Sequence, residues 1–219
     1  MKKILIITGG SVDISWASQY IENNKYDFCI AADSGLVHAA KLGVKVDYIL
    51  GDYDSVDKNV LEEYREYRKE TEIETFPREK DYTDTHLAIM TAINNKATDI
   101  DILGATGTRM DHTFTNVGNL KAAYDAGINC QIVDNHNKIY MLGEKTGSYK
   151  IRKDRQFGHF ISLVPLTSSI NVTLEGTKYL LHNKEVVQGV SLCQSNEIKE
   201  EEAVITVNSG IAIVFETKD

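Results

Sequence analysis

The sequence predicts an α/β chain in two parts: an N-terminal three-layer domain on a parallel sheet, then a C-terminal β-sandwich of jelly-roll type. Three observations predict it. From residue 3 to about 135, short apolar runs alternate with amphipathic stretches, as a parallel sheet covered on both faces requires. Each of those apolar runs ends in a glycine- or acid-rich turn. Past residue 135 the helical stretches stop, and short strand-like runs succeed one another between turn signals, the pattern of a sandwich. This change of character divides the 219 residues into 1–135 and 136–219.

In chain order, the apolar runs 3–8, 28–32, 48–50, 72–76, 101–103 and 130–133 read as the strands of the first domain. Between them, residues 84–94 repeat apolar side chains at helical spacing, Leu87 with Met90 and Ile89 with Ile93. The second domain offers runs at 138–142, 148–151, 157–163, 170–174, 186–191, 203–207 and 211–216, separated by signals such as Asn208-Ser209-Gly210.

An apolar content of 42% supports a packed core, and a formal net charge of -8 argues against a nucleic-acid partner, which needs concentrated Lys and Arg. The apolar run at 4–7 is too short for a signal-peptide core, and no later run approaches a membrane span. Cys29, Cys130 and Cys193 are odd in number and far apart in apolar surroundings, as buried free thiols of a cytoplasmic protein would be. The six histidines include no pair at zinc-ligand spacing.

The turns that follow the first-domain strands carry the chemistry. They read Gly9-Gly10, Asp33-Ser34-Gly35, Gly51-Asp52-Tyr53-Asp54-Ser55, Lys80-Asp81-Tyr82-Thr83-Asp84 and Gly104-Ala105-Thr106-Gly107-Thr108-Arg109-Met110-Asp111. In a parallel sheet all of them lie on the carboxyl-end edge, where open α/β sheets bind ligands. Each acid has a local explanation: Asp52 and Asp54 suit an Asx-turn, and Asp84 suits the positive end of a helix capped by Thr83. Yet Asp33, Asp52, Asp54, Asp81, Asp84 and Asp111 on one edge repel one another unless neutralised. A divalent cation with a polyphosphate answers that. Asp52 and Asp54, spaced i, i+2 on a tight turn, form a plausible grip for Mg²⁺, while Gly104, Gly107 and the helix start near Met110 admit an anion with Arg109 as clamp. Neither a P-loop nor a dinucleotide fingerprint is present.

These motifs in this order resemble thiamine pyrophosphokinase: Ala32-Asp33-Ser34-Gly35, Gly51-Asp52-Tyr53-Asp54-Ser55, the stretch from Phe76 to Asp84, and Gly104 through His112. Gly176-Thr177-Lys178-Tyr179, Ser195-Asn196-Glu197 and Ser209-Gly210 continue the likeness over nearly the whole chain. The resemblance implies a catalytic α/β domain that binds ATP, a sandwich that helps to hold thiamine, and a homodimer with active sites between subunits. It implies transfer of diphosphate from ATP to thiamine, with release of AMP. By position, Asp52, Asp54, Asp84 and Asp111 correspond to the catalytic acids, with Mg²⁺ among the first three. Asp33, Ser34, Gly35, Lys80, Asp81, Thr83, Gly104, Gly107 and Arg109 are expected to line the ATP site, and Ser195 and Asn196 to contact thiamine. One departure stands out: some members stack thiamine on a C-terminal tryptophan, whereas the single tryptophan here is Trp16. A transferase for another small alcohol would use the same acidic edge with a different acceptor pocket. A non-catalytic nucleotide sensor on the same scaffold needs phosphate donors but not a full set of catalytic acids, and the presence of all four matching acids argues against it.

Overall fold

The computed structural model describes residues 1–51, 72–75 and 81–219. Within them the chain divides into two compact units, Met1–Asn135 and His136–Asp219.

In the first unit, β1 (Lys3–Ile7), β2 (Phe28–Ala32), β3 (Tyr48–Gly51), β4 (Glu72–Thr75), β5 (Asp99–Leu103) and β6 (Asn129–Val133) form a parallel array in the order β4-β3-β2-β1-β5-β6. The central strands are nearly solid aliphatic: Ile4, Leu5, Ile6 and Ile7 are all fully buried. Burial on both faces is what a central parallel strand demands. Among the described residues four helices accompany the array: α1 (Ile14–Asn23), α2 (Gly35–Leu42), α3 (Asp84–Asn94) and α4 (Met110–Asp125). Register tells which face each meets. Leu5 pairs with Asp101 and so shares its face, on which Asp101 takes a hydrogen bond from Tyr20 of α1. Thr8, three residues on from Leu5 and on the opposite face, meets Thr85 of α3 at 3.1 Å between hydroxyls. Helices therefore cover both sides, giving three layers.

The α1 face carries an unusual charge. Asp101, 2% exposed, accepts from Tyr20 at 3.1 Å, Tyr26 at 2.6 Å and Gln131 at 2.8 Å, and pairs with Lys3 at 2.9 Å. Burial, reinforced by the neighbouring carboxylate, raises both tyrosine pKa values, so the two phenols stay donors. Four groups from four segments converge on one carboxylate, tying α1 and the loop before β2 to the sheet.

The second unit is a sandwich of two antiparallel sheets. One holds β7 (Asn137–Gly143), β13 (Ile211–Thr217) and β9 (Phe160–Pro165); the other runs β11 (Leu181–Val187), β10 (Ser169–Glu175), β12 (Glu202–Ser209), β8 (Ser148–Arg152). Their inner faces share one core, in which Leu142, Leu163 and Val214 meet Ile170, Val172 and Ile205. Alternation is clean along β12 and β13, as one-sided burial dictates. β11 differs from the run expected at 186–191: it is a mostly polar strand, LHNKEVV, that ends at Val187, where Val190 N–H turns back to the Val187 carbonyl. Its place is fixed by pairing to β10 rather than by its own pattern. Among the described residues no helix is long and apolar enough to cross a membrane, and all three cysteines are buried free thiols.

Removing Asp101 leaves several buried donors without an acceptor. Asp101→Ala is expected to lower unfolding free energy by about 3–5 kcal/mol, read from denaturant midpoints. A loss below about 1 kcal/mol, the scale of an exposed pair, would show that the network does not anchor α1.

Candidate functional site

At the carboxyl ends of the parallel strands of the first unit a cavity of about 760 Å³ opens. Its described lining comes from the turns after β1, β2 and β5 and from the starts of α3 and α4. The two glycine turns pack backbone to backbone: Gly10 N–H donates to the Gly104 carbonyl at 2.7 Å and Ser11 N–H to the Thr106 carbonyl at 2.7 Å. A Cβ at Gly10 would collide with the carbonyl oxygens of Gly104 and Thr106, and one at Gly104, whose φ is +73°, would strike the Thr8 carbonyl. Only glycine lets these two loops close on each other.

Of the residues expected from the sequence, the cavity brings together Asp33, Ser34, Asp81, Thr83, Asp84, Gly104, Gly107, Arg109 and Asp111. Gly35 stands behind them, buried under the backbone of Ile7 at the start of α2. Asp52, Asp54 and Lys80 lie outside the described residues. The strand leading to Asp52 is nonetheless placed, since Asp33 N–H donates to the Leu50 carbonyl at 2.9 Å. Asp33 itself is held at φ +49°, a left-handed conformation uncommon for a residue with a side chain. Such strain concentrates at ligand sites. Among the described residues no three His, Cys, Asp or Glu side chains converge as a metal cluster.

The helix starts differ in a useful way. α3 is capped: the Thr83 hydroxyl accepts from His86 N–H at 3.2 Å, and Asn119 of α4 donates to the same hydroxyl at 3.3 Å. α4 has no side-chain cap at Arg109 and its first turn lines the cavity, where the positive end of a helix favours anions. Arg109 and Asp111 grip one another there, with contacts of 2.6 Å and 3.3 Å, and both are about two-thirds exposed. The guanidinium lowers the Asp111 pKa. Arg109 is the one Lys or Arg among the described lining residues, and Asp111 neutralises it. The remaining described carboxylates, Asp33, Asp81 and Asp84, leave the cavity acidic.

Thr8, Ser11 and Asn116, to which the sequence gives no role, also line it, as do Tyr82 and Thr106 of the quoted turns. For Asn116 a signal existed. It sits four and seven residues before Leu120 and Ala123 on the buried stripe of α4, where a polar residue needs a partner, and Nδ2 donates to the Ala105 carbonyl at 2.9 Å. Thr8, the residue after an apolar strand, gave none.

In the second unit, Ser195 is exposed at φ +54°, and its N–H donates to Ser162 Oγ at 2.9 Å. Asn196 is 3% exposed and its amide is turned inward. Oδ1 accepts from Tyr179 N–H at 3.0 Å and Glu197 N–H at 2.9 Å, while Nδ2 donates to the Tyr179 carbonyl at 2.9 Å. The side chain thus clamps the Tyr179 backbone, and Tyr179 remains 58% exposed. Beside it, Lys178 and His159 flank Glu197 at 2.6 Å and 3.4 Å, and the Lys178 contact lowers the Glu197 pKa.

Two family models match the chain: thiamin pyrophosphokinase, catalytic domain, over residues 18–132, and thiamin pyrophosphokinase, vitamin B1 binding domain, over residues 148–212. The chain is 31% identical to the thiamine pyrophosphokinase of Bacillus subtilis (strain 168) along 100% of both, and 29% identical to thiamine pyrophosphokinase 1 of Oryza sativa subsp. japonica, covering 78% of this chain and 66% of that relative. The solved Bacillus subtilis structure superposes with a TM-score of 0.89 at 28% identity over 100% of both chains. Yeast thiamin pyrophosphokinase shares the fold, with a TM-score of 0.80 at 16% identity over 99% of this chain and 86% of that one.

The clamp makes a specific demand. Asn196→Ala is expected to lower stability by about 1–3 kcal/mol, the cost of unsatisfied buried groups, and to speed hydrogen exchange at the Tyr179 amide. Asn196→Asp keeps both acceptor contacts and should restore much of that protection. Unchanged Tyr179 exchange in the alanine variant would contradict the clamp.

Proposed function

This chain belongs to the thiamin pyrophosphokinase family, and from that premise we propose that it transfers the terminal diphosphate of ATP to the hydroxyethyl oxygen of thiamine, giving thiamine diphosphate and AMP. The observation that carries the reading is the convergence of glycine turns, an uncapped helix start and several carboxylates on one cavity. Glycine backbone and α4 suit phosphate oxygens; the acids do not. Two unit charges about 6 Å apart at an effective dielectric constant near 20 repel by roughly 3 kcal/mol, so a triphosphate entering beside three carboxylates needs a cation.

The donor set fits Mg²⁺, which takes hard oxygen ligands and completes its shell with water and phosphate. Asp84, with Asp52 and Asp54, would hold it. When bound, it neutralises charge on the phosphate oxygens. The chain's own residues do the rest. Gly10 and Gly104 let backbone approach the triphosphate, with Ser34, Gly35, Asp33, Asp81, Thr83 and Gly107 shaping the nucleotide site. Arg109 exchanges Asp111 for a phosphate edge, which its planar fork fits equally well, and Asp111 receives it back on release. Lys80 adds a second positive charge. The hydroxyl of thiamine attacks the β-phosphorus in line with departing AMP, and Asp54 or Asp84 accepts its proton.

For the acceptor, Ser195 and the Tyr179 ring presented by Asn196 form the surface we assign to thiamine; Tyr179 supplies an aromatic face where Trp16 does not. Exposed Leu180, Val187, Val190 and Leu192 near it in sequence suit a homodimer with active sites at the subunit interface. Three buried thiols suit a reducing cytoplasm.

Incubation with ATP, Mg²⁺ and thiamine should yield AMP and thiamine diphosphate in equal amounts, with no ADP. Production of ADP, or of AMP without thiamine, would overturn the reading. Asp54→Asn should reduce turnover at least about 10²-fold at saturating Mg²⁺ while circular dichroism stays unchanged; retained activity would remove Asp54 from the reacting centre.

A further inference from the structure

His38 lies on α2, outside the cavity lining, and no motif singled it out. Its Nε2 sits 2.9 Å from the carbonyl oxygen of Gly10. A carbonyl only accepts, so Nε2 carries the proton and donates. The other ring nitrogen, Nδ1, is buried without a hydrogen-bond partner among the described residues. Burial lowers the imidazole's pKa, which keeps the ring neutral.

The contact matters because of the peptide it ends on. The Gly10–Ser11 peptide is held at both poles: its oxygen by His38, and its N–H, that of Ser11, by the Thr106 carbonyl at 2.7 Å. In a planar trans peptide those two groups point in opposite directions, so fixing both fixes the plane. Glycine offers little resistance to rotation by itself. Without the imidazole, the peptide is held at one pole only, by the Ser11 N–H bond to Thr106, and the Gly10 carbonyl is freer to tilt toward the cavity, where a carbonyl dipole would meet phosphate oxygens with the wrong sign.

We propose that His38 is a positioning residue for the nucleotide: by donating to the Gly10 carbonyl, it holds the glycine turn in the orientation that accepts the triphosphate. The inference rests on the nucleotide reading of the cavity. It predicts an effect on ATP that depends on the reach of the donor rather than on the presence of an imidazole.

The test compares His38→Gln, which offers an N–H at about the reach of Nε2, with His38→Asn, whose amide falls short, and His38→Leu, which has no donor. Binding of α,β-methylene ATP in Mg²⁺ is measured by isothermal titration, alongside KM for ATP and for thiamine. The asparagine and leucine variants should weaken nucleotide binding and raise KM for ATP about three- to tenfold, the size of one hydrogen bond, with the KM for thiamine unmoved. The glutamine variant should bind like the wild type. If the leucine variant does not fold, the asparagine variant, checked by thermal melting, carries the comparison. Equal impairment of the glutamine and asparagine variants, no impairment in any, parallel changes for both substrates, or a wild-type protein that does not bind the analogue would overturn the role. A wild type that binds the analogue but forms no AMP counts against the proposed reaction alone, and the binding comparison still decides for or against His38.

Discussion

Charge repulsion at one sheet edge is the constraint to which the rest of the first unit answers. Parallel strands place their carboxyl ends together, so each acid set after a strand joins the acids from its neighbours. Asp33, Asp81 and Asp84 share a cavity whose one described arginine is already neutralised by Asp111. Such an arrangement persists only where folding supplies compensation elsewhere and function supplies a counter-charge. The glycine turns and the uncapped start of α4 give positive backbone potential nearby, which attracts phosphate but does not by itself offset carboxylates. The metal–polyphosphate complex proposed for the site carries both signs and would answer both halves of it.

The compensation is visible on the α1 side. Asp101 gathers Lys3, Tyr20, Tyr26 and Gln131 around a buried carboxylate that lines no part of the cavity. The fully buried aliphatic strands do the bulk of the stabilising, while this network fixes where α1 sits. Glu216 repeats the device in the sandwich: fully buried, it takes Lys138 at 2.9 Å, Tyr140 at 3.1 Å and the Phe157 N–H at 2.9 Å. In both units, one satisfied carboxylate joins segments distant in sequence.

What could be read from the chain follows from range. Alternating apolar runs and glycine-acid turns are local, and they predict the α/β order, the change to a sandwich and the edge at which the turns meet. β11 was misplaced because LHNKEVV has no pattern of its own and becomes a strand only through β10. Asn196, expected to contact thiamine, has its amide hydrogen-bonded to the backbone of Tyr179, a partner 17 residues away that spacing does not reveal. His38 gave no signal, because the group it serves is a backbone carbonyl 28 positions earlier. Asn116 could have been found, as a polar residue on a buried stripe announces a hidden partner.

The central claim is that the acidic edge is tolerable, and useful, because a cation bridges it to a polyphosphate. Anomalous diffraction from crystals grown with Mn²⁺ and α,β-methylene ATP tests it most directly. The account predicts a manganese peak at about 2.1 Å from an Asp84 oxygen, with the triphosphate along the turns of Gly10 and Gly104. A nucleotide seated away from those turns, or a manganese ion with no carboxylate of this edge in its coordination shell, would contradict it.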